Sequence, residues 1–180
     1  PPGRVTRVNL RRRLAACLGI IVVCGALNLA SPIVIAQQRT LDPGEYTMLF
    51  DGTSPRTRTI ELTKAPKSLD AVVTLDGEEV DAFPIDPSTA FPAKGRAGLG
   101  PLLPYRPERR TYPMFDSTSG EDVGLDYLGP GSVRGLDTYK YSAALSDGCV
   151  RTVDAERRTG RIVDEVWDCG ADQWVLAEET

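Results

Sequence analysis

Twenty-five acids, four cysteines and no histidine are the chemical raw material of this 180-residue sequence. Without an imidazole there is no histidine general base, no Ser-His or Cys-His dyad and no usual histidine-containing zinc site. The densest acid-bearing loop falls in TYPMFDSTSGE, residues 111–121. An EF-hand loop sets oxygen ligands at alternate positions, a glycine at the sixth and a glutamate at the twelfth. Counted from Asp116, the glycine is fifth and position twelve is Tyr127, so the stretch reads as an ordinary Asx or Ser/Thr turn. The cysteines form no C-x-x-C pair, and Gly95 to Gly100 lacks the Lys-Ser/Thr partner of a phosphate loop. Acids such as Asp81 and Asp86 lie near one another, yet no spacing selects a general acid and base. The sequence therefore names no catalytic residue, no metal ligand and no cofactor.

The elements that would position such residues are mostly strands. Gly and Pro make 31 residues, and the apolar stretches are short, as in a β-rich fold joined by turns. Tyr46, Met48 and Phe50 alternate with polar or exposed-type neighbours, and Ile60 and Leu62 share a face of RTIELT, residues 58–63. Ala71 to Leu75, Asp76-Gly77 and Glu78 to Phe83 read as a hairpin with a type I′ turn. A straight register sets Val73 opposite Val80 and Ala71 opposite Ala82. Residues 84–107 hold six prolines and no apolar period, which predicts a long connection over the surface with Leu99, Leu102 and Leu103 against a core edge. Tyr139, Tyr141, Ala143 and Leu145 then share one strand face. Cys149 to Val153 and Ile162 to Trp167 flank a turn at Arg158-Thr159-Gly160, and Trp174-Val175 adds a last short strand. The expected fold is mainly β: a small antiparallel sheet or sandwich-like domain over residues 37–180.

The N-terminus is different in kind. Residues 1–13 hold five arginines and no acid before the apolar run Leu14 to Ala36. As a helix, such a run is roughly 34 Å long, enough to cross a hydrocarbon core of about 30 Å. Two exporting readings remain open: a signal anchor over residues 14–36, or a cleavable signal peptide ending near Val34-Ile35-Ala36. Either sets residues 37–180 outside the cytoplasm, single-pass at the plasma membrane or secreted. That part holds 16 basic residues against 25 acids, a balance of −9, which argues against a nucleic-acid partner. Cys17 and Cys24 lie in the apolar run as packing residues. Cys149 and Cys169 lie in the exported part and are expected to form a disulfide, worth about 3 kcal/mol in the chain-entropy model.

Three stretches together resemble a known family: TYPMFDSTSGE, GLDTYKYSAAL (135–145) and VDAERRTGRIVDE (153–165). Tyr112, Pro113, Phe115 and Asp116, then Gly135, Tyr139 and Tyr141, then Asp154, Thr159 and Gly160 are similar to the pattern of the actinobacterial porin PorA family. The likeness runs over residues 101–166, with the arginine-fronted N-terminus fitting by position. It implies a β-rich, membrane-anchored extracytoplasmic domain of the cell envelope. Members carry a second, C-terminal membrane helix, whereas this sequence reaches Thr180 in polar residues. A transmembrane barrel needs many strands of about ten residues with an apolar outer face, and the sequence suggests too few for one.

Three readings of function follow. The first is a non-enzymatic binding or scaffold module holding an envelope lipid or docking a membrane protein, with Leu99, Leu102, Leu103 and Tyr105 as candidate lining of an apolar groove. The second is a carboxylate-dependent envelope hydrolase or transferase. The third is a structural or truncated domain without separate activity.

Overall fold

The computed structural model describes residues 41–93, 95, 96 and 98–179, together with Cys17, Ile20, Cys24 and Gly25. The chain divides into two units, Pro1–Thr40 and Leu41–Thr180. In the first, the four described residues are helical. The expected span over residues 14–36 otherwise lies outside the described residues. Among those described, no helix is long and apolar enough to cross a membrane.

The second unit is built from ten strands: β1 (Gly44–Gly52), β2 (Arg56–Lys64), β3 (Leu69–Leu75), β4 (Glu78–Ile85), β5 (Tyr112–Asp116), β6 (Glu121–Val133), β7 (Leu136–Ala144), β8 (Val150–Glu156), β9 (Ile162–Asp168) and β10 (Gln173–Glu179). They form one antiparallel sheet in the order β4-β3-β2-β1-β10-β9-β8-β7-β6-β5. The expected mainly β, antiparallel fold is found, as one continuous ten-stranded sheet in place of a small sheet or sandwich. It curls on itself: Arg58 on β2 reaches Glu165 on β9, and Arg151 on β8 reaches Met114 on β5, each three strands along the order.

The connection between β4 and β5 fills the gap between the sheet's two edges. Ala93 N–H donates to Pro84 O on the β4 side, while Leu99 N–H donates to Pro113 O and Phe115 N–H to Leu99 O on the β5 side. Arg96 completes the join, with its guanidinium 3.8 Å from the Phe83 ring centroid and 4.2 Å from that of Phe115, and Nη1 2.7 Å from Asp81. The expectation of a surface connection is thereby revised. Leu99 and Leu103 are core residues, and Pro101, Pro104 and Pro107 are buried. Prolines suit this path because they lack the N–H that a full ladder would demand. The result is a barrel whose last seam is a proline-rich strap.

Alternation sorts the walls. Met48, Phe50, Ile60, Leu62, Leu69, Ala71 and Val73 point inward and are buried. Glu45, Glu61, Asp70, Asp126 and Lys140 occupy intervening exposed positions. Burying one face fixes register, since a one-residue slip would turn the acids inward. Asp76 and Gly77 take positive φ of 53° and 86°, as the type I′ turn requires. A bulge then shifts the hairpin, so Val73 pairs with Asp81 and Ala71 with Phe83, one residue off the straight register.

Candidate functional site

The barrel's two ends differ. Connections β2–β3, β4–β5, β6–β7 and β8–β9 crowd one end, and connections β1–β2, β3–β4, β5–β6, β7–β8 and β9–β10 crowd the other. At the first end an aromatic chain fills the interior. Phe91 meets Tyr112 at 6.3 Å, Tyr112 meets Tyr141 at 5.9 Å, and Tyr127 meets Tyr141 at 5.7 Å and Tyr139 at 5.5 Å. Such offset and edge contacts add to what their buried area contributes. Both buried hydroxyls bond to the backbone of one residue: Glu108 N–H donates to Tyr112 Oη at 2.6 Å, and Tyr141 Oη donates to Glu108 O at 2.6 Å. Burial, first, and the neighbouring phenols push the Tyr141 hydroxyl's pKa up. The strap also packs on the β8–β9 turn. Gly160 there has φ of 77°, and a Cβ on it would collide with the carbonyl of Pro104.

The second end is open and holds a cavity of about 640 Å³. Phe50, Phe115, Trp167 and Trp174 supply aromatic wall, Val73 and Leu75 aliphatic wall, and the Cys149–Cys169 disulfide lies on it as well. Trp174 is held by its indole N–H to Ser54 O at 2.9 Å, with Arg56 stacked 4.2 Å from its ring centroid. Asp116 braces the rim from below. Its carboxylate accepts N–H groups of Thr118 and Ser146, each at 2.9 Å, and the hydroxyl of Ser119 at 3.1 Å, so it joins the β5–β6 turn to the β7–β8 turn. Burial works to raise its pKa, but these donors together win and hold it at about 2.

The cavity floor is a buried ion cluster. Glu165 is 0% exposed, and Arg58 and Arg151 are each 5% exposed. Glu165 accepts Arg58 Nη1 at 2.8 Å and Nη2 at 2.6 Å, Arg151 Nε at 2.8 Å and the Trp167 indole N–H at 2.7 Å. Burial alone would raise the Glu165 pKa. The two guanidiniums overcome it and keep the carboxyl ionised well below its usual range. The Arg151 pKa moves down, chiefly through burial. Sulfur lies close as well: Arg58 Nη2, already bonded to Glu165, is 2.8 Å from Met48 Sδ, and Arg151 Nη1 is 3.0 Å from Met114 Sδ.

Residues singled out in the sequence fall on both ends. Tyr112, Pro113, Phe115 and Asp116 form β5, Gly135 sits in the β6–β7 turn, and Tyr139 and Tyr141 are on β7. Thr159 and Gly160 make the β8–β9 turn. Leu99 and Leu103 are buried in the main core, with Leu102 half-buried against it and Tyr105 half-buried on the strap. None of Leu99, Leu102, Leu103 and Tyr105 lines the cavity. Closing the seam uses the leucines.

The pattern of Porin PorA matches residues 63–157, more than half of the chain. The chain belongs to the Porin PorA family. Membership gives it a general link to the membrane or cell envelope. No curated protein matches it. The matched segment takes in β3, β4, the strap, β5 to β7 and β8. It begins earlier than the resemblance over residues 101–166 and ends before Thr159 and Gly160. Arg151 and Cys149 lie within the PorA match, while Arg58, Glu165 and both tryptophans lie outside it.

Proposed function

We propose that this domain is a non-enzymatic binding module of the cell envelope, which takes a lipid-like ligand into the open end of its barrel. One observation carries this: a cavity of about 640 Å³ with aromatic and aliphatic walls at one end of a barrel whose other end is filled. That volume lies in the range of small-molecule sites, which bury most of their ligand against apolar walls. The bonded Cys149–Cys169 pair suits an oxidising compartment, and with the arginine-fronted run at residues 14–36 it supports a single-pass anchor holding the barrel outside the cytoplasm.

A conducting pore is a poorer reading. Ten strands are enough for a small transmembrane barrel, but such barrels face lipid with an apolar band. Here acids such as Glu61, Asp70 and Asp126 stand on the outside, and apolar side chains fill much of the inside. A carboxylate-dependent hydrolase or transferase needs a carboxyl raised towards neutrality. The carboxyls that the fold moves, at Asp86, Asp116, Glu156 and Glu165, all go down.

The chain's two tryptophans both line the cavity, so intrinsic fluorescence reports its occupancy. Titrating the full chain with dodecanol is expected to shift that emission with saturation, and solvent extraction of the purified protein is expected to release a bound amphiphile. A flat titration together with a lipid-free extract would overturn the reading.

A further inference from the structure

The ion cluster under the cavity carries more positive charge than the protein neutralises. We propose that the cavity floor is an anion subsite, where Arg58 and Arg151 receive the acidic head of an amphiphile whose apolar body lies along Phe50, Trp167 and Trp174. This rests on the binding role proposed above and adds the class of the head group: one carboxylate or phosphate.

The charge count is simple. Two guanidiniums share one carboxylate, and guanidinium stays protonated even when buried. The cluster therefore holds a net +1 almost out of contact with water, a costly arrangement without a counter-ion. Glu165 carries a single negative charge, already shared between both guanidiniums, with three donors on its Oε1 and one on its Oε2. The donors left over have poor partners. Arg58 Nε is buried with no hydrogen-bond acceptor among the described residues. Arg151 Nη2 reaches Pro101 O only at 3.5 Å, and the remaining contacts are to thioether sulfur, a weak acceptor.

Acids nearer the mouth do not supply the missing charge. Asp81 is bound to Arg96 at 2.7 Å, and Asp147 accepts the Cys149 N–H at 2.9 Å. Asp147 and Glu79 are exposed and solvated. Arg56, the other cavity-lining cation, stacks on Trp174 and lies 3.9 Å from Asp76. An anion of the ligand is thus the group that would balance the floor, while the aromatic walls favour an apolar body behind it.

The test compares dodecanoate with dodecanol at about pH 8, where the acid is ionised, on the full chain by tryptophan fluorescence. Dodecanoate is expected to bind at least about tenfold more tightly. In Arg58→Gln, which leaves Arg151 and Glu165 balanced, the ratio of the dodecanoate and dodecanol affinities is expected to fall to about one. Equal binding of acid and alcohol by the wild-type protein would overturn the anion subsite and leave the cavity's binding role standing, even where the variant fails to fold. Silence towards both would overturn the two together. Inorganic phosphate alone is expected to compete only weakly. If it displaces dodecanoate at equal concentration, the site is one for a free anion and the amphiphile is ruled out.

Discussion

The plugged and open ends of this barrel use the same wall to opposite purpose. At the plugged end five aromatic rings touch in series, and the buried hydroxyls of Tyr112 and Tyr141 are answered by the backbone N–H and C=O of one strap residue, Glu108. At the open end three charged groups are buried, and among the described residues one donor of their cluster, Arg58 Nε, and two of the neighbouring Arg96, Nε and Nη2, have no acceptor, while a cavity remains above the cluster. Buried polar groups are normally paired, and a net charge is normally balanced. A satisfied end holds the fold together, and the unsatisfied one is where the proposed ligand would bind.

Removing the only carboxylate of the cluster should produce the largest effect. Glu165→Gln leaves two buried guanidiniums facing each other without a counter-charge, and breaking a buried ion pair in this way costs about 3–5 kcal/mol. Urea unfolding monitored by circular dichroism checks the loss. A change under about 1 kcal/mol would mean that the floor is wetter than its burial indicates. The comparison sharpens if Arg58, Arg151 and Glu165 are all replaced by methionine. Stability is then expected to hold or rise, as when apolar residues replace buried ion clusters, while the preference for dodecanoate disappears.

Next comes the disulfide. Cys149 and Cys169 stand 20 positions apart and enclose β8, β9 and their turn, and the cross-link should contribute about 3 kcal/mol. Both sulfurs belong to the open end, so reduction is expected to lower the melting temperature and loosen the cavity wall. Weakened dodecanol binding, with near-ultraviolet tyrosine signals still intact, would localise the effect to that end. Equal loss of the tyrosine signals would show that the ends do not behave separately.

Much of the barrel was legible in the alternation of apolar residues, because one buried face imposes period two wherever the strand is regular. Met48-x-Phe50, Ile60-x-Leu62 and Tyr141-x-Ala143 all land inward. Closure was not legible, because the strap of residues 86–111 has no period and is held by backbone bonds to the two edge strands. Part of the floor was visible in principle. Arg58 has the same parity as Ile60 and Leu62, and Arg151 the same as Val153, so each is a cation on an apolar face. Glu165 was hidden. The bulge between Asp154 and Ala155 lets Ile162 and Glu165, three residues apart, both point inward, which simple alternation forbids. The same kind of shift misplaced the β3–β4 register.

Acid should act on the rim before it unmakes the floor. Asp116 has its pKa lowered to about 2 from an ordinary 3.8, so its hydrogen bonds contribute fully above that ordinary value. Their contribution is lost as pH falls through about 4 towards 2, roughly 2 kcal/mol in all. Glu165 is lowered too, and its share of the stability likewise goes as pH falls through its folded value. Urea midpoints measured across this window should decline in the wild type and decline less in Asp116→Asn, whose side chain does not titrate. Parallel declines would assign the acid sensitivity to other carboxyls.

The smallest change probes the plugged end alone. Tyr141→Phe keeps the ring contacts with Tyr112 and Tyr127 and deletes only the hydroxyl that donates to Glu108 O. The Glu108 N–H keeps its bond to Tyr112 Oη, and Glu108 itself is exposed, so water can reach the abandoned carbonyl. The expected loss is therefore that of one ordinary hydrogen bond, about 1 kcal/mol. Because the cavity is built from the opposite strand ends, tryptophan emission and the affinities for dodecanol and dodecanoate should stay at wild-type values. A Tyr141→Phe protein that bound either probe several-fold more weakly would show that the aromatic plug and the arginine floor act as one unit, since no cavity-lining atom would have been altered.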